Sequence, residues 1–222
     1  MRRLDEFLQP TYAIDSDNKA IRDKAREIGG IPGGDPLDIA QRLFYFVRDE
    51  IKYNMYVPVE LPDDHVASKV LQHGEGYCVQ KAVLLTALTR ACGIPARLGF
   101  ADFLNHMLAR ARPEWEGASM IIYHGFAELW LSGEWVKATP AFDLAMCRKY
   151  GIIPVDFDGQ HDAVFHPVDQ DGNPHIEYIR FHGAFQELPF DRMSAARDKV
   201  YGKGYLGLWD NAARTESQPT DR

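Results

Sequence analysis

Apolar residues recur at helical spacing in the first part of the chain, and turn signals divide them into two segments. A first helix is predicted after the capping cluster Asp15–Asp17, and it ends at the glycine pair Gly29–Gly30. A second helix is predicted from Asp35–Pro36, because an N-cap residue followed by proline is a common helix start. Its apolar stripe consists of Ile39, Leu43, Phe46 and Val47. The pattern therefore predicts two amphipathic helices.

A third helical segment differs from these two because it is apolar around most of its circumference. No proline or glycine interrupts residues 79–92, and Thr86, Thr89 and Arg90 confine the polar side to a narrow arc. A Gly-Ile-Pro sequence at residues 93–95 ends the segment. We predict a buried central helix here.

Apolar runs of strand length follow this helix. The sequence is strand-like from Arg97 to Phe103, and residues 120–131 form a long apolar and aromatic run. Ser132–Gly133 is a turn signal, and residues 135–139 return from it. We therefore predict an antiparallel hairpin over residues 120–139.

Three connecting segments carry weaker signals. A proline-punctuated loop leads to Ser68, which is predicted to cap a short helix that runs through Gln72. Residues 104–117 indicate a loop. Residues 155–183 suggest a second, looser hairpin with its turn at 169–174.

The last part of the chain is predicted to contain two helices and a tail. The helices run from Asp143 to Tyr150 and from Phe190 to Tyr201. Residues 211–222 are polar and lack periodicity, which predicts a disordered tail. We therefore expect a single domain over residues 1–210.

Composition narrows the class of protein. The chain has 222 residues, of which 45% are hydrophobic and 26% charged, as in a globular domain with one sizeable core. Its net charge is -7 and it has no basic run, which argues against a nucleic-acid binder. No segment approaches the ~20 apolar residues of a membrane span, and no apolar stretch follows the initial Met1-Arg2-Arg3 as it would in a signal peptide. We expect a cytoplasmic protein without a membrane partner.

The cysteines supply the first candidate for chemistry. Cys78, Cys92 and Cys147 lack C-x-x-C spacing, so neither a disulfide framework nor a thiolate metal site is indicated. Cys92 lies among apolar residues and has the character of packing material. Cys78 follows Gly74 and Gly76 at the start of the predicted central helix, where the helix dipole and free N–H groups favour a thiolate. We interpret Cys78 as a candidate nucleophile.

His124 is the best-placed base among the eight histidines. A cysteine nucleophile needs a group that takes its proton, and histidine suits this role near neutral pH. His124 lies in the first strand of the predicted hairpin beside Gly125. A sheet packed on the central helix would present it to the helix N-terminus. A strand histidine alone is more often structural, so the hypothesis depends on its combination with Cys78.

These two segments resemble the core of the transglutaminase-like cysteine enzymes. The similarity includes Gly76-Tyr77-Cys78, then Gly93-Ile94-Pro95-Ala96-Arg97, then His124 followed by Glu128, Gly133 and Trp135. The superfamily is related to the papain-like proteases in the arrangement of its core. The resemblance implies an α+β fold with a papain-like/transglutaminase-like core, in which the nucleophile helix packs on an antiparallel sheet, here with additional N-terminal helices. It implies neither a cofactor nor a metal.

The third member of the catalytic triad departs from the family pattern. In the family, an aspartate before proline follows the hairpin and orients the histidine, whereas here Thr139 occupies that position before Pro140. A threonine oxygen accepts an imidazole N–H but brings no charge to an imidazolium. Asp143 would reach back if the chain curls after Pro140, or it caps the next helix. The third position is therefore Thr139 or Asp143, with both alternatives open.

The resemblance implies acyl transfer from a peptide or protein amide through a thioester on Cys78. Resolution by water would make the protein a cysteine protease or amidase, and resolution by an amine would make it a transglutaminase. The lost aspartate makes a non-catalytic binding or scaffold domain the alternative. Acyl transfer from a thioester cofactor, in the manner of arylamine acetyltransferases, would use the same pair. Tyr53 is either an additional donor or a core tyrosine.

Two other polar clusters are set aside. His161, Asp162, His166 and His175 are scattered over loop-like sequence, so we interpret them as hydrogen-bonded or solvated residues rather than metal ligands. A position on the rim of a substrate site is the alternative. The segment 169–173 resembles a calcium loop, but its glycine comes too early for an EF-hand. We predict a plain turn.

Overall fold

The structure, a computed structural model, describes residues 2–30, 33–111 and 119–202. The helices in these ranges are α1 (Arg2–Asp5), α2 (Lys19–Gly29), α3 (Pro36–Glu50), α4 (Ala67–His73), α5 (Cys78–Ala91), α6 (His106–Ala111), α7 (Leu144–Tyr150) and α8 (Phe190–Tyr201). The strands are β1 (Lys52–Tyr53), β2 (Glu75–Gly76), β3 (Ala96–Asn105), β4 (Met120–Leu131), β5 (Glu134–Ala138) and β6 (Ile176–Phe185). Short 3₁₀ helices cover Glu6–Leu8 and Pro62–His65.

One antiparallel sheet organises the fold. Its strand order is β5-β4-β3-β6, and each neighbouring pair is antiparallel. The strands β1 and β2 form a separate parallel pair next to α5. Helix α5 packs across β4 and β3, while α2, α3 and α4 cover its other sides. The predicted α+β architecture, a central helix on an antiparallel sheet with added N-terminal helices, is confirmed.

Helix α5 is the core of the molecule, as its apolar circumference predicted. Every residue from Cys78 to Arg90 is buried, and its polar side chains bond to carbonyl groups, as buried polar groups require. Thr86 and Thr89 donate to carbonyls one turn earlier in the helix. Arg90 donates to three carbonyls from other segments. Lys81 donates to the carbonyls at the end of α3, and burial lowers its pKa to about 7.

The strongest local patterns are confirmed. The Asp35 side chain caps α3 by accepting from Leu37 N at 3.1 Å. The hairpin of β4 and β5 has its turn at Ser132–Gly133, and α8 has the predicted bounds. These elements have start and stop signals within a few residues, so sequence alone locates them.

Two helix caps differ from the prediction. Helix α2 is capped by Asn18, whose side chain accepts from Ala20 N at 2.9 Å, rather than by the cluster Asp15–Asp17. Asp15 instead accepts from the backbone of Ser68 at 3.1 Å. The prediction of Ser68 as a cap is wrong because the N-cap of α4 is Val66, two residues earlier, and Ser68 is the second residue of the helix.

The prediction of a second hairpin over residues 155–183 is also wrong. Only β6 forms a regular strand there, and it pairs with β3 instead of with the segment before it. The turn at Asp169 does form, since Asp169 Oδ1 accepts from the backbone of Asp171 and Asn173 at 3.0 and 2.9 Å. Local pattern identified the strand but not its partner. The predicted loop at 104–117 contains α6 in its described part, and the predicted tail at 211–222 lies outside the described residues.

Candidate active site

Cys78 is the first residue of α5, and the turn before it is anchored by hydrogen bonds. Tyr77, the N-cap, has an extended backbone and donates its N–H to Gln80 Oε1 at 3.2 Å. The Gln80 amide in turn donates to the carbonyls of Pro58 and Asp64 at 3.1 and 2.7 Å. Hydrogen bonds among three segments of the chain therefore fix the turn that precedes Cys78.

The Tyr77 hydroxyl is held from two sides. It lies 2.8 Å from His65 Nε2 and accepts from Arg197 Nη2 at 2.8 Å. His65 Nδ1 lies 3.1 Å from the carbonyl of Leu61, which only accepts, so the ring carries its proton on Nδ1 and Nε2 accepts from the hydroxyl. Burial lowers the pKa of His65 to about 4. Sequence reasoning missed both His65, which lies 12 residues before Tyr77, and Arg197, which lies 120 residues after it.

The approach of β4 to α5 brings the histidine strand to the cysteine. A Cβ atom on Gly125 would lie 2.9 Å from Val79 Cα, so a side chain at this position would force the strand away from the helix. Gly125 follows His124, and Val79 follows Cys78. The sheet thus presents His124 at the N-terminal end of α5, as the sequence predicted.

His124 is buried among aromatic rings. Its ring centroid lies 4.8 Å from that of Phe165 and 5.2 Å from that of Phe103. Burial lowers the pKa of His124 to about 3, so the ring is neutral. Its Nε2 atom has no hydrogen-bond partner among the described residues.

The two candidates for the third position occupy different places. Thr139 is buried, and its hydroxyl oxygen also has no partner in the described part of the chain. Asp143 caps α7, with one carboxylate oxygen accepting from Met146 N at 2.8 Å and the other from Tyr53 N at 2.9 Å. Its carboxylate therefore ties α7 to β1. The assignment of the third residue stays a prediction.

Cys78 and His124 line the same cavity, which has a volume of about 650 Å³. Asp143, Tyr53 and His175 also contribute to its walls. The Tyr53 ring meets that of Phe142 edge-on at 5.0 Å, and burial and the charge of a Cys78 thiolate raise the pKa of Tyr53 well above its ordinary value. The structure thus brings the predicted cysteine and histidine to one cavity.

The electrostatics of the thiol differ from the prediction. Burial raises the pKa of Cys78, and the opposing effects of the Gly125 amide, the Arg197 charge and the amides at the helix start do not reverse this. The amides at the helix start do lower the pKa of Cys78, as the sequence predicted, but desolvation of the thiol outweighs them, so the net shift is upward. Near neutral pH, burial therefore favours an uncharged thiol and an uncharged imidazole at this site.

Two of the histidines set aside as metal ligands have other partners. His161 pairs with Asp158 at 2.7 Å, and His166 Nε2 lies 3.2 Å from the carbonyl of Pro154. Within the described ranges, no group of three or more histidine, cysteine, aspartate or glutamate residues could hold a metal ion. None of the helices described has the length and apolar character needed to cross a bilayer.

Comparison with models of protein families assigns the chain to a superfamily. The profile of the transglutaminase-like superfamily matches residues 24–140, just over half of the 222 residues. The chain belongs to the transglutaminase-like superfamily. The matched segment contains Cys78, His124 and Thr139 and ends before Asp143. The transglutaminase-like core predicted from the cysteine and histidine motifs is confirmed.

A search of solved structures finds similar chains from three bacteria. A proposed cysteine protease from Cytophaga hutchinsonii is 15% identical, with a TM-score of 0.48, covering 82% of this chain and 55% of its own. A proposed protease from Parabacteroides distasonis is 15% identical, with a TM-score of 0.40, covering 62% and 25%. The periplasmic domain of TgpA from Pseudomonas aeruginosa is 22% identical, with a TM-score of 0.43, covering 63% and 46%.

The transglutaminase-like chain is thus similar to parts of larger proteins, spanning about half or less of the length of these neighbours. A comparison with curated proteins finds no match. The family assignment therefore depends on the match over residues 24–140.

Proposed function

We propose that this transglutaminase-like protein is a cysteine enzyme that transfers the acyl group of a peptide or protein amide through a thioester on Cys78. The observation that carries the proposal is that Cys78 and His124 line one cavity. The cysteine lies in the first turn of a buried helix, and the histidine lies on the strand packed against that helix. A thiol and an imidazole that line one cavity are the two groups that nucleophilic catalysis by a cysteine requires.

The acylation step begins with an uncharged pair. His124 takes the proton of the Cys78 thiol while the sulfur bonds to the carbonyl carbon, so that a charged pair does not form before substrate arrives. Backbone N–H groups at the start of α5, including that of Cys78, stabilise the oxyanion. The carbon–nitrogen bond then breaks, and His124 returns the proton to the leaving amine. The acyl group remains on Cys78 as a thioester.

Deacylation restores the thiol. Water or a second amine attacks the thioester carbon, its proton passes through His124 to the departing sulfur, and the products are an acid or a new amide. Water makes the protein a protease or amidase, and an amine makes it a transglutaminase.

One observation favours a second candidate, a non-catalytic binding or scaffold domain. Thr139 stands where the family has aspartate, and neither its hydroxyl nor His124 Nε2 has a partner among the described residues. An imidazolium at position 124 would therefore lack the charged partner that stabilises it in catalytic triads. This candidate predicts no acyl transfer from any donor.

The deciding experiment compares acyl donors on the wild-type protein. We would incubate it with an aryl amide, an aryl ester and an acyl-coenzyme A, each with and without a primary amine, and follow product release. Turnover of the amide and ester supports the proposed function, and the dependence on amine separates hydrolysis from transfer. Turnover of acyl-coenzyme A alone would favour the acetyltransferase-like alternative, and no turnover of any donor would favour the scaffold.

A further inference from the structure

The walls of the cavity at Cys78 are mainly apolar, which bears on the substrate. Its volume of about 650 Å³ lies within the range of pockets that enclose most of a small molecule. The apolar part of the wall includes Tyr53, Phe103, Ile121, Phe142, Met146 and Phe165. A group much smaller than an aromatic ring would leave most of this surface without contacts.

Three aromatic rings form a continuous wall between the histidine and the segment near the cysteine. Phe165, next to His124, stacks on Phe142 with 4.5 Å between centroids and 19° between planes. Phe142 in turn meets Tyr53 edge-on at 5.0 Å. Because the rings pack against one another, this surface exists before a ligand binds.

Charged residues of both signs also line the cavity. The lining contains three acidic residues, Asp49, Glu50 and Asp143, and two lysines, Lys52 and Lys149. Asp49 is already paired with Arg48 at 2.8 Å, and the Asp143 carboxylate accepts from two backbone N–H groups. The described wall therefore offers no single sign of charge that would select a charged group. The apolar surface is what distinguishes one substrate from another.

We propose that the acyl group delivered to Cys78 is apolar and at least as large as an aromatic side chain. This inference rests on the proposed acyl transfer and names its substrate class. The cavity holds the acyl side of the substrate because the acyl group stays bonded to Cys78 through both steps. The leaving amine must diffuse away so that water or a second amine can reach the thioester. An amine group enclosed in the cavity would obstruct this exchange.

Covalent labelling tests this inference without requiring turnover. At pH 9, we would compare the rates at which N-benzyl-iodoacetamide and iodoacetamide alkylate Cys78, with each cysteine quantified by peptide mass mapping. We expect the benzyl reagent to react about tenfold faster or more, since its ring is removed from water in the cavity. Cys92, outside the cavity lining, supplies the internal control and should show no such preference.

A substitution that fills the cavity adds a second readout. Met146→Trp should lower the ratio of the benzyl rate to the iodoacetamide rate at Cys78. If the Met146→Trp variant does not fold, Ile121→Trp serves as the second cavity-filling variant. Equal rates for the two reagents in the wild-type protein would overturn the substrate class even if acyl transfer is found. A benzyl preference without any acyl transfer would support the apolar site and refute the enzymatic function separately.

A second inference comes from a strained residue beside His124. Tyr123 has a φ of 51°, and Ser132 in the hairpin turn is the only other described residue besides glycine with positive φ. Left-handed backbone is unfavourable for a residue with a Cβ atom, and such strain concentrates at functional sites. The register of β3 and β4 shifts at this point, between Ala101 and Phe103, which marks a β-bulge.

One residue on β3 and one on β6 hold the bulge. Asp102 Oδ1 accepts from Tyr123 N at 2.9 Å and lies 2.7 Å from His182 Nε2. The His182 ring stacks on the Tyr123 ring, with 4.1 Å between centroids and 17° between planes. The Tyr123 N–H, which the bulge leaves without a partner in the sheet, thus has a hydrogen bond. The Tyr123 ring is held by its stacking on His182.

We infer that Asp102 and His182 are positioning residues for His124. They hold Tyr123 in its left-handed conformation, and this conformation turns β4 so that the next side chain faces the cavity. Bulges commonly re-aim a side chain next to an active site. The role assigned to His124 belongs to the proposed function, but its orientation is measurable independently.

Rescue by glycine tests the positioning role. Asp102→Ala should displace His124, and we would follow its ring resonances by NMR, since the rings of Phe103 and Phe165 shift them in the native orientation. The double variant Asp102→Ala/Tyr123→Gly should restore those resonances, because glycine adopts positive φ without being clamped. If acyl transfer is present, its kcat should fall and recover in parallel with little change in KM.

Two outcomes would overturn this second inference. One is an unchanged His124 spectrum in folded Asp102→Ala. The other is a displaced spectrum that Tyr123→Gly does not restore, since that result would indicate a general loss of sheet structure. Neither outcome depends on whether the protein transfers acyl groups.

Discussion

Replacing Cys78 with alanine should reduce acyl transfer to the uncatalysed rate, and replacing His124 with glutamine should reduce it by about 10²–10⁴-fold, the usual contribution of a general base. The physical reason is that both side chains line one cavity and the thiol is uncharged, so sulfur becomes nucleophilic only if the imidazole removes its proton. The measurement is the rate of product release from the best donor for each variant.

The double variant and two controls make this prediction sharper. Residues that act as one unit have non-additive effects, so Cys78→Ala/His124→Gln should be no slower than Cys78→Ala alone. Cys92→Ala and His161→Gln, which change a cysteine and a histidine outside the cavity lining, should keep the wild-type rate. A His124→Gln variant with wild-type activity would show that the imidazole is not the base.

Acid should destabilise the fold strongly between pH 6.5 and 5. Three buried histidines, His65, His124 and His175, have pKa values lowered by burial from 6.5 to about 4, 3 and 4. Below pH 6.5 the unfolded chain binds protons that the folded chain excludes. The free energy of unfolding therefore decreases as the pH decreases. Each such histidine contributes a slope of about 1.4 kcal/mol per pH unit.

Urea denaturation at several pH values measures this slope. His175→Phe should reduce the slope by about the contribution of one histidine. The loss of stability at pH 7 should be small, because neither ring nitrogen of His175 has a hydrogen-bond partner among the described residues. His73→Gln changes an exposed histidine and is the control. The pH range stops at 5 because carboxylates with lowered pKa, such as Asp162, begin to titrate below it. Stability independent of pH across this range would contradict the burial of the three rings.

The sequence predicts the elements of the site better than the contacts between them. Helix α5 and the β4–β5 hairpin follow from local periodicity and turn signals, so Cys78 and His124 could be placed on their elements. The partner of β6 could not be predicted, because strand pairing depends on contacts far apart in the chain. Arg197 was missed for the same reason, because it lies 120 residues after Tyr77. His65 lies only 12 residues before Tyr77, but no local pattern indicated that its ring would contact the tyrosine hydroxyl.

Electrostatics were the least predictable property of the site. A helix N-terminus favours a thiolate, and the sequence showed that Cys78 lies at one. The sequence could not show that packing would bury both Cys78 and His124 deeply enough to outweigh that effect. Likewise, it could suggest two roles for Asp143, but only the structure shows its carboxylate bound to the backbone of Met146 and Tyr53.

The most direct test of the account is the location of the acyl group in the covalent intermediate. The wild-type protein would be mixed with a slowly deacylated ester, quenched in acid during the first turnover, digested and mapped by mass spectrometry. The account predicts one acyl group, attached to the Cys78 sulfur and removed by hydroxylamine as a thioester is. Turnover with no acyl group on Cys78, or an acyl group on Cys92 or Cys147 instead, would contradict it.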